Sequence, residues 1–298
     1  MILIADSGGT KTTWLCIDND TSGSVQPTPY NSLGINPIRD SKEVIAQAIQ
    51  AGWEGLCQSC RSELEQALQA SSIEAVYFYG SGCIPPYTYV IEQVLQDIFP
   101  KADVVVESDM QGAAIALCGH HEGIACILGT GSNSCLFDGK KIVMQTPALG
   151  YILGDEGGGA SLGKRLVGDV LKKQLPPHIQ EAFFQETALS QADIIERVYR
   201  QPQANMFLAS LSPFLLRHRE EESVKKLIEE EFSRFLKRNI LNYNRPDLPI
   251  HFVGGIAGAF SEELARAVES EHLIMGQILA KPIAGIAEYY TSTQKHVV

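Results

Sequence analysis

The sequence predicts an α/β protein made of two related halves. Apolar strand patterns alternate with helical periodicity along the 298 residues. Each half begins with antiparallel strands around a turn that contains glycine and threonine, within residues 2–18 and again within 123–142. Because the chain is long enough for two ordinary domains, this coarse repeat predicts two domains of similar architecture.

The first half is predicted to contain three strands, a helical stretch and two strand–helix units. Apolar runs at 2–6 and 12–18 flank a Gly-Gly turn, and the turn-rich segment 23–40 has room for a third short strand. Residues 41–69 have helical periodicity and are interpreted as two helices hinged near Gly52 and Gly55. The later elements of this half are strand 74–82, helix 87–99, strand 102–109, which its valine run predicts to be buried, and helix 110–119.

The second half repeats the opening pattern and continues with a long helical region. Residues 123–142 predict three strands, and residues from about 160 to 243 predict helices. The charged segment 217–237 is interpreted as a solvated helix face. A strand and a Gly-Gly loop follow at 250–258, and residues 272–290 predict a short strand, a break and a last helix.

Composition excludes some classes of partner. The net charge of −11 leaves no basic excess to neutralise phosphates, which argues against nucleic acid as the main partner. With no apolar run long enough for a membrane span and no visible secretory signal, we expect a cytoplasmic protein. Seven scattered cysteines suit reduced thiols, and Cys57 and Cys60 are interpreted as ordinary core or surface thiols.

The two glycine-containing turns have features of a phosphate site. The turn at Gly8 and Gly9 does not have P-loop spacing and leads into a strand, and Ser134 replaces the third glycine that a dinucleotide fingerprint needs. Both turns nevertheless expose backbone amides and hydroxyls where a ligand can approach closely. With Asp6 at the mouth of the first turn, the pattern fits a magnesium-bound polyphosphate, although either turn alone could be an ordinary hairpin.

Five segments of the chain resemble the signature segments of the N-acetylglucosamine kinase / BadF-type ATPase family, in the family's order. They are ADSGGTKT (5–12), SDMQGAAIAL (108–117), ILGTGSNS (127–134), LGYILGDEGGG (149–159) and FVGGIAG (252–258). Ser7 departs from the pattern, because the family usually has glycine there. The resemblance implies two ribonuclease-H-like (actin-like ATPase) domains with ATP in the cleft between them, formed by residues 1–119 with 280–298 and by residues 120–279.

The resemblance also implies roles on the nucleotide side. Thr10 and Thr130 would contact the ATP phosphates, and Asp6 would sit near Mg²⁺. The other expected ATP-binding residues are Gly8, Gly9, Lys11, Gly129, Gly131, Gly254, Gly255 and Ala257, of which the last three would line the adenosine pocket. A surface lysine at Lys11 and a tight strand-to-helix turn at 254–257 remain the alternatives that need no ligand.

On the sugar side, Asp109 matches the catalytic base of the family. Taken alone, an aspartate between a strand and a helix could equally be an N-cap. Asn36 matches a sugar-binding asparagine, with a turn residue before Pro37 as the alternative. The other expected sugar contacts are Ser132, Leu149, Gly150 and Asp155. Glu156 could share this role or simply favour the N-terminus of the next helix.

The predicted function is therefore an ATP-dependent amino-sugar kinase that uses Mg²⁺ and converts N-acetylglucosamine to its 6-phosphate. A glucosamine kinase stays open as the alternative enzyme, and a BadF-type ATPase activator or sugar-responsive switch as the alternative from another class. No helix-turn-helix extension or set of cluster cysteines is visible, which argues against the last two. We expect an amino sugar and ATP as partners, no nucleic acid or membrane, and leave a homodimer open.

Overall fold

The computed structural model of the chain describes residues 1–18, 28–59 and 69–294. The chain forms two compact units, Met1–His120 with Pro282–Val298, and His121–Lys281. It therefore leaves the first unit once and returns to it for its last helix. That each unit folds as a separate domain stays a prediction.

The first unit contains a five-stranded mixed sheet. Its strands are β1 (Ile2–Ser7), β2 (Lys11–Ile17), β3 (Tyr30–Leu33), β4 (Ala75–Gly80) and β5 (Asp103–Ser108), in the order β3-β2-β1-β4-β5. The first three strands pair antiparallel, whereas β4 is parallel to both β1 and β5. The strands predicted for this half are confirmed, including the short third one.

Helices cover both faces of this sheet. Those that the structure describes are α1 (Lys42–Ser59), α2 (Thr88–Ile98), α3 (Asp109–Cys118) and the last helix of the chain, α13 (Ile283–Gln294), with a 3₁₀ turn at Ala70–Ser72. Leu3 and Ala5 of β1 belong to the core beneath α1 and α2, whereas Ile2 and Ile4 face α3 and α13 on the other side. The alternation places Asp6, the next even-numbered residue, on the side of α3.

The predicted hinge near Gly52 and Gly55 is wrong, because α1 continues through both glycines. A Cβ at Gly52 would overlap the indole of Trp14, and one at Gly55 would overlap the ring of Tyr30. The two glycines let the helix approach the large side chains of the sheet closely. Tertiary packing explains them, whereas the sequence pattern suggested a break in the helix. Cys60 of the neighbouring cysteine pair lies outside the described residues.

The prediction of a buried strand before Asp109 is only partly right. Within the valine run of β5, Val106 is buried, Val104 is half-buried and Val105 is 38% exposed. Among the described strands, β5 lies at the edge of the sheet and has only β4 as its neighbour. A continuous apolar run therefore does not prove a central position in the sheet.

The second unit repeats the architecture of the first. Its strands are β6 (Glu122–Leu128), β7 (Ser132–Asp138), β8 (Ile142–Gln145), β9 (Pro249–Val253) and β10 (Ile274–Leu279), in the order β10-β9-β6-β7-β8. As in the first unit, the first three strands, β6, β7 and β8, pair antiparallel. On the other side of β6, β9 pairs parallel to it, and β10 pairs parallel to β9. The coarse repeat predicted from the two glycine turns is thus confirmed.

The predicted helical region of the second unit consists of several shorter helices. They are α4 (Gly150–Leu153), α5 (Gly159–Leu171), α6 (Pro177–Thr187), α7 (Gln191–Tyr199), α8 (Ala204–Ala209), α9 (Ser212–Arg217) and α10 (Glu222–Phe235), followed after β9 by α11 (Gly255–Ala259) and α12 (Ser261–Ser270). A π-helical segment, Leu236–Ile240, and a 3₁₀ turn, Leu241–Tyr243, extend α10. None of the helices in the described part of the chain is long and apolar enough to cross a membrane.

We predict that Gly52→Ala destabilises the protein by about 1–3 kcal/mol, because the added methyl group must displace the Trp14 indole. Urea unfolding followed by circular dichroism measures this loss. The matched control is Gly168→Ala, a helical glycine whose Cβ would meet no other atom within 4 Å. That change should stabilise its helix by up to about 1 kcal/mol. Equal effects of both substitutions would contradict the packing role of Gly52.

Candidate active site

The first glycine turn forms the exposed tip of the β1–β2 hairpin. The Gly8 N–H donates to the Lys11 carbonyl at 2.9 Å and closes the turn. Gly8, Gly9, Thr10 and Lys11 are all exposed. A Cβ at Gly9 would meet no protein atom within 4 Å, so the fold itself does not require glycine at that position.

Asp6 lies at the end of β1, beside this hairpin. Burial raises the pKa of Asp6 from its ordinary value of 3.8 to about 7, with the negative charge of Asp109 as the next cause and the Lys11 ammonium opposing both. The sheet explains the proximity of the two carboxylates. Ser7 pairs with Gly80, and Gly80 pairs with Ser108, so parallel β1 and β5 end at the same edge.

Asp109 is the first residue of α3 and follows β5 directly. Burial raises its pKa, while the backbone N–H groups of Met110 and of Asp109 itself, and the hydroxyl of Ser81, favour the charged form. The interpretation of Asp109 as an N-cap is wrong. Ser108 is the cap, and its hydroxyl accepts a hydrogen bond from the Gln111 N–H at 3.2 Å. Helix capping therefore does not account for an aspartate at position 109.

Asn36 lies in the loop between β3 and α1. Its side-chain Oδ1 accepts the Ile38 N–H at 3.0 Å, and its backbone N–H donates to Asp40 Oδ2 at 3.0 Å. Its amide Nδ2 has no hydrogen-bond partner among the described residues. A Cβ at Gly82 would lie 2.5 Å from Asn36 Oδ1, so this side chain lies against the loop that follows β4.

The loop after β4 connects these groups, and the sequence analysis assigned it no role in the site. The Ser81 N–H donates to the Ser7 carbonyl at 2.8 Å, and the Ser81 hydroxyl hydrogen bonds to Asp109. Gly82 has a φ of +80° and adjoins Asn36. The Gly-Ser-Gly sequence after a strand was a visible signal for such a loop. Asp6, Asn36 and Asp109 are thus brought together in the first unit around the loop at residues 81–82.

In the second unit, the second glycine turn is the tip of the β6–β7 hairpin. Its backbone is fixed from below by α5, because the Gly159 N–H donates to the Gly129 carbonyl and the Ala160 N–H to the Thr130 carbonyl, both at 2.8 Å. The residue Thr130 stays exposed. A Cβ at Gly129, as at Gly9, would meet no protein atom within 4 Å.

Asp155 lies against this second hairpin. Its Oδ1 accepts the Ser132 N–H at 3.2 Å, and a Cβ at Gly131 would lie 2.7 Å from its carboxylate. Burial raises the pKa of Asp155, and the hydrogen bond from Ser132 opposes the rise. The chain adopts a left-handed conformation at Asp155, with a φ of 58°. Leu149 and Gly150 precede it at the start of α4, where Leu149 is 54% exposed and Gly150 has a φ of +72°.

Glu156 is a buried carboxylate that pairs with two half-exposed arginines. It is 4% exposed, and its Oε1 lies 2.6 Å from Arg238 Nε and 3.6 Å from Arg234 Nη2. Of the two roles left open for Glu156, contact with a sugar is not favoured by this position. The ion pairs hold the start of the segment that leads into α5.

The interpretation of 217–237 as a solvated face is wrong at Glu231. Glu231 is fully buried, and its Oε1 accepts the Gly157 N–H at 3.2 Å and the Ser161 hydroxyl at 2.5 Å. Together with Glu156 it fixes residues 156–161, on which the second hairpin rests. The helical spacing was a visible signal, because Glu231 lies on the same face of α10 as the buried residues Val224, Leu227, Ile228 and Phe235.

The strand-to-helix turn after β9 adjoins the same hairpin. Gly254 has a φ of +123°, and a Cβ there would overlap the Leu128 carbonyl, so the fold alone requires this glycine. Gly255 is exposed, with open space where its Cβ would be. Ala257 is fully buried in the core of the second unit, which does not favour its predicted contact with nucleotide. The turn thus places Gly254 and Gly255 beside Leu128 and the second hairpin.

Comparison with known proteins identifies the family. The chain is 44% identical to a candidate N-acetylglucosamine kinase from Porphyromonas gingivalis, over 98% of this chain and 99% of the other, with a TM-score of 0.88. The chain belongs to the N-acetylglucosamine kinase / BadF-type ATPase family. No family model and no curated protein matches it.

More distant structures share the fold of this family member. A candidate N-acetylglucosamine kinase from Chromobacterium violaceum is 19% identical over 97% of this chain and 98% of its own, with a TM-score of 0.70. A ROK family glucokinase from Streptomyces griseus, solved with glucose and AMPPNP, is 12% identical over 96% of this chain and 97% of its own, with a TM-score of 0.54. The two sheets of this family member thus have the actin-like ATPase fold.

We predict that the ionisation of Asp6, without divalent cations, lowers the free energy of unfolding of this family member as pH rises from about 4 to about 7. The folded protein holds a proton on Asp6 up to about pH 7, whereas the unfolded chain releases it near 3.8, so the folded state binds more protons in this range. Asp6→Asn removes this contribution, because an amide does not ionise in this pH range. Urea unfolding at several pH values should show that the Asp6→Asn variant gains stability relative to the wild-type protein between pH 4 and 7. A constant difference would contradict the raised pKa.

Proposed function

We propose that this family member is an ATP-dependent amino-sugar kinase that phosphorylates the 6-hydroxyl of N-acetylglucosamine. The observation that carries the proposal is the Asp6–Asn36–Asp109 cluster, found in a chain 44% identical to a candidate N-acetylglucosamine kinase over 98% of its length. A cytoplasmic location and the absence of nucleic-acid and membrane partners stay predictions.

Nucleotide binding is supported by glycines that the fold does not need. Gly9, Gly129 and Gly255 have no positive φ, and a Cβ at each would meet no protein atom within 4 Å. A bound ligand that approaches the backbone there would explain glycine at all three positions, since side chains would fill its space. We infer that Gly9, Thr10 and Lys11 on one hairpin, and Gly129, Thr130 and Gly131 on the other, bind ATP phosphates. Gly255 would then adjoin the adenosine.

Mg²⁺ fits the residues present only together with the phosphates. Within the described part of the chain, no group of three or more His, Cys, Asp or Glu side chains forms a cage for a metal ion. Mg²⁺ is usually held by one or two carboxylates with water and substrate phosphates, and Asp6 can supply one such oxygen ligand. When bound, the ion would neutralise charge on the phosphates and lessen the repulsion between Asp6 and Asp109.

The proposed chemistry assigns Asp109 as the general base. The sugar 6-hydroxyl oxygen attacks the γ-phosphorus in line, the bond from that phosphorus to the ADP oxygen breaks, and the hydroxyl proton passes to the Asp109 carboxylate. The Ser81 hydroxyl and two backbone N–H groups hold this carboxylate in place. The Asn36 Nδ2, which has no partner among the described residues, can donate to a sugar hydroxyl. The Asp155 carboxylate of the second unit is proposed as an acceptor for a sugar hydroxyl.

A coupled assay of ADP release over a panel of hexosamines tests the function. We expect turnover with N-acetylglucosamine and ATP, and only background ATP consumption without sugar. The product should carry its phosphate on the 6-hydroxyl by nuclear magnetic resonance. Turnover with glucosamine but without N-acetylglucosamine would change the substrate, and no turnover with any sugar would contradict the kinase proposal.

We predict that Asp109→Asn lowers kcat about 10²–10⁴-fold, because the amide cannot accept the hydroxyl proton. Sugar affinity, measured by calorimetry, should change only modestly, since Asn keeps the size and one acceptor oxygen. The control is Ser108→Ala, which removes the actual N-cap and should cost about 1 kcal/mol of stability with turnover close to wild type. A fully active Asp109→Asn variant would contradict the assignment of Asp109 as the base.

A further inference from the structure

A buried hydroxyl joins the first hairpin to the loop that carries Asn36. Ser7, at the end of β1, is fully buried. Its Oγ accepts the Ile35 N–H at 3.0 Å and lies 3.2 Å from the Ile35 carbonyl and 2.7 Å from Thr12 Oγ1. Thr12 in turn donates its hydroxyl to the Leu33 carbonyl at 3.0 Å. Two side chains therefore satisfy backbone groups of residues 33–35.

The backbone of this loop is packed tightly against the hairpin. The Gly34 N–H donates to the Thr10 carbonyl at 3.1 Å, and a Cβ at Gly34 would lie 2.6 Å from the hairpin backbone. The Ile35 side chain is 1% exposed in the core of the first unit. A small change at Ser7 thus has little free space in which the loop can adjust.

We propose that Ser7 is a positioning residue for the sugar, acting through Ile35 on Asn36. The Ile35 N–H is held by Ser7 Oγ, and Asn36 is the next residue along the chain. Without the hydroxyl, this buried N–H loses its acceptor and the backbone must shift to find another. Because Asn36 lies against Gly82, such a shift changes the position of its Nδ2 relative to Asp109.

The Ser7 hydroxyl also contacts Thr12 Oγ1 across the hairpin at 2.7 Å, but the hairpin is closed by backbone hydrogen bonds that do not involve it. The ladder between Ser7 and Thr12 uses backbone groups, and the Gly8 N–H closes the turn on the Lys11 carbonyl. Loss of the hydroxyl should therefore affect the sugar side and leave the phosphate side unchanged. This asymmetry separates positioning of the loop from a general weakening of the hairpin.

The test compares Ser7→Ala with Thr13→Val. Thr13 also carries a buried hydroxyl between β2 and β3, and it donates to Asn31 Oδ1 at 3.0 Å, away from residues 33–36. We expect Ser7→Ala to lower kcat/KM for N-acetylglucosamine about tenfold, through KM, with the KM for ATP within about twofold of wild type. Thr13→Val should leave both values near wild type.

Hydrogen exchange on the same proteins reports the interaction without any substrate. The Ile35 amide should exchange faster in Ser7→Ala than in wild type, and at the wild-type rate in Thr13→Val. Should Ser7→Ala fail to fold, Ser7→Cys carries the same expectations, because a thiol fills similar space but is a weak acceptor.

The role of Ser7 presupposes the proposed function, but the two fail in different ways. A wild-type protein that phosphorylates no sugar overturns the kinase proposal and the role of Ser7 with it. An active wild-type protein whose Ser7→Ala variant keeps its sugar KM overturns the role of Ser7 alone. An equal rise in the KM values for sugar and ATP also overturns it, since Ser7 would then support the hairpin as a whole.

Discussion

Parallel pairing of β1, β4 and β5 is the constraint on which the first half of the site depends. In this register Ser7, Gly80 and Ser108 lie side by side, so the three strands end at one edge of the sheet. The residues just before or after these positions, Asp6, Ser81 and Asp109, are therefore neighbours although they are far apart in the chain. Each residue then depends on one local feature for its position. Asp6 precedes a tight turn, Ser81 precedes a glycine with positive φ, and Asp109 begins a helix. The sheet supplies the rigidity that a catalytic carboxylate requires.

The second unit uses the same sheet order with a different support for its hairpin. There the turn at Gly129–Gly131 accepts two backbone hydrogen bonds from the first turn of α5. The segment that leads into α5 is held by the ion pairs of Glu156 and by the hydrogen bond from Gly157 to Glu231. In the first unit the corresponding hairpin is joined to a loop by side-chain hydroxyls. One architecture therefore presents two similar glycine turns, but a loop contacts one of them and a helix supports the other.

Features that depend on a local pattern could be predicted from the sequence, whereas those that depend on tertiary partners could not. Strand alternation and the two glycine turns predicted both sheets, and the family resemblance pointed to Asp6, Asn36 and Asp109, which the structure places together. The glycines of α1 suggested a hinge because glycine weakens a helix. Their packing role was not visible in the sequence, because the side chains they contact, Trp14 and Tyr30, come from distant strands. Helical spacing places Glu231 on the apolar face of α10, but nothing in the sequence identifies Gly157 and Ser161, which come from another segment, as its hydrogen-bond donors. The roles of the site residues stay predictions.

The pair of carboxylates at Asp6 and Asp109 is costly to the fold and is best understood through the ligands. Burial raises the pKa of both groups, and the charge of Asp109 raises that of Asp6 further, so ionising both weakens the folded state. Ser108 already caps α3. The Lys11 ammonium lowers the pKa of Asp6, but burial and the charge of Asp109 still raise it to about 7. Helix capping therefore does not explain Asp109, and its hydrogen bonds from Ser81 and two backbone N–H groups offset the cost of burial only in part. A cation bound with ATP phosphates beside Asp6, and a hydroxyl proton delivered to Asp109, would each relieve the repulsion, so binding and reaction supply the compensation that the fold alone lacks.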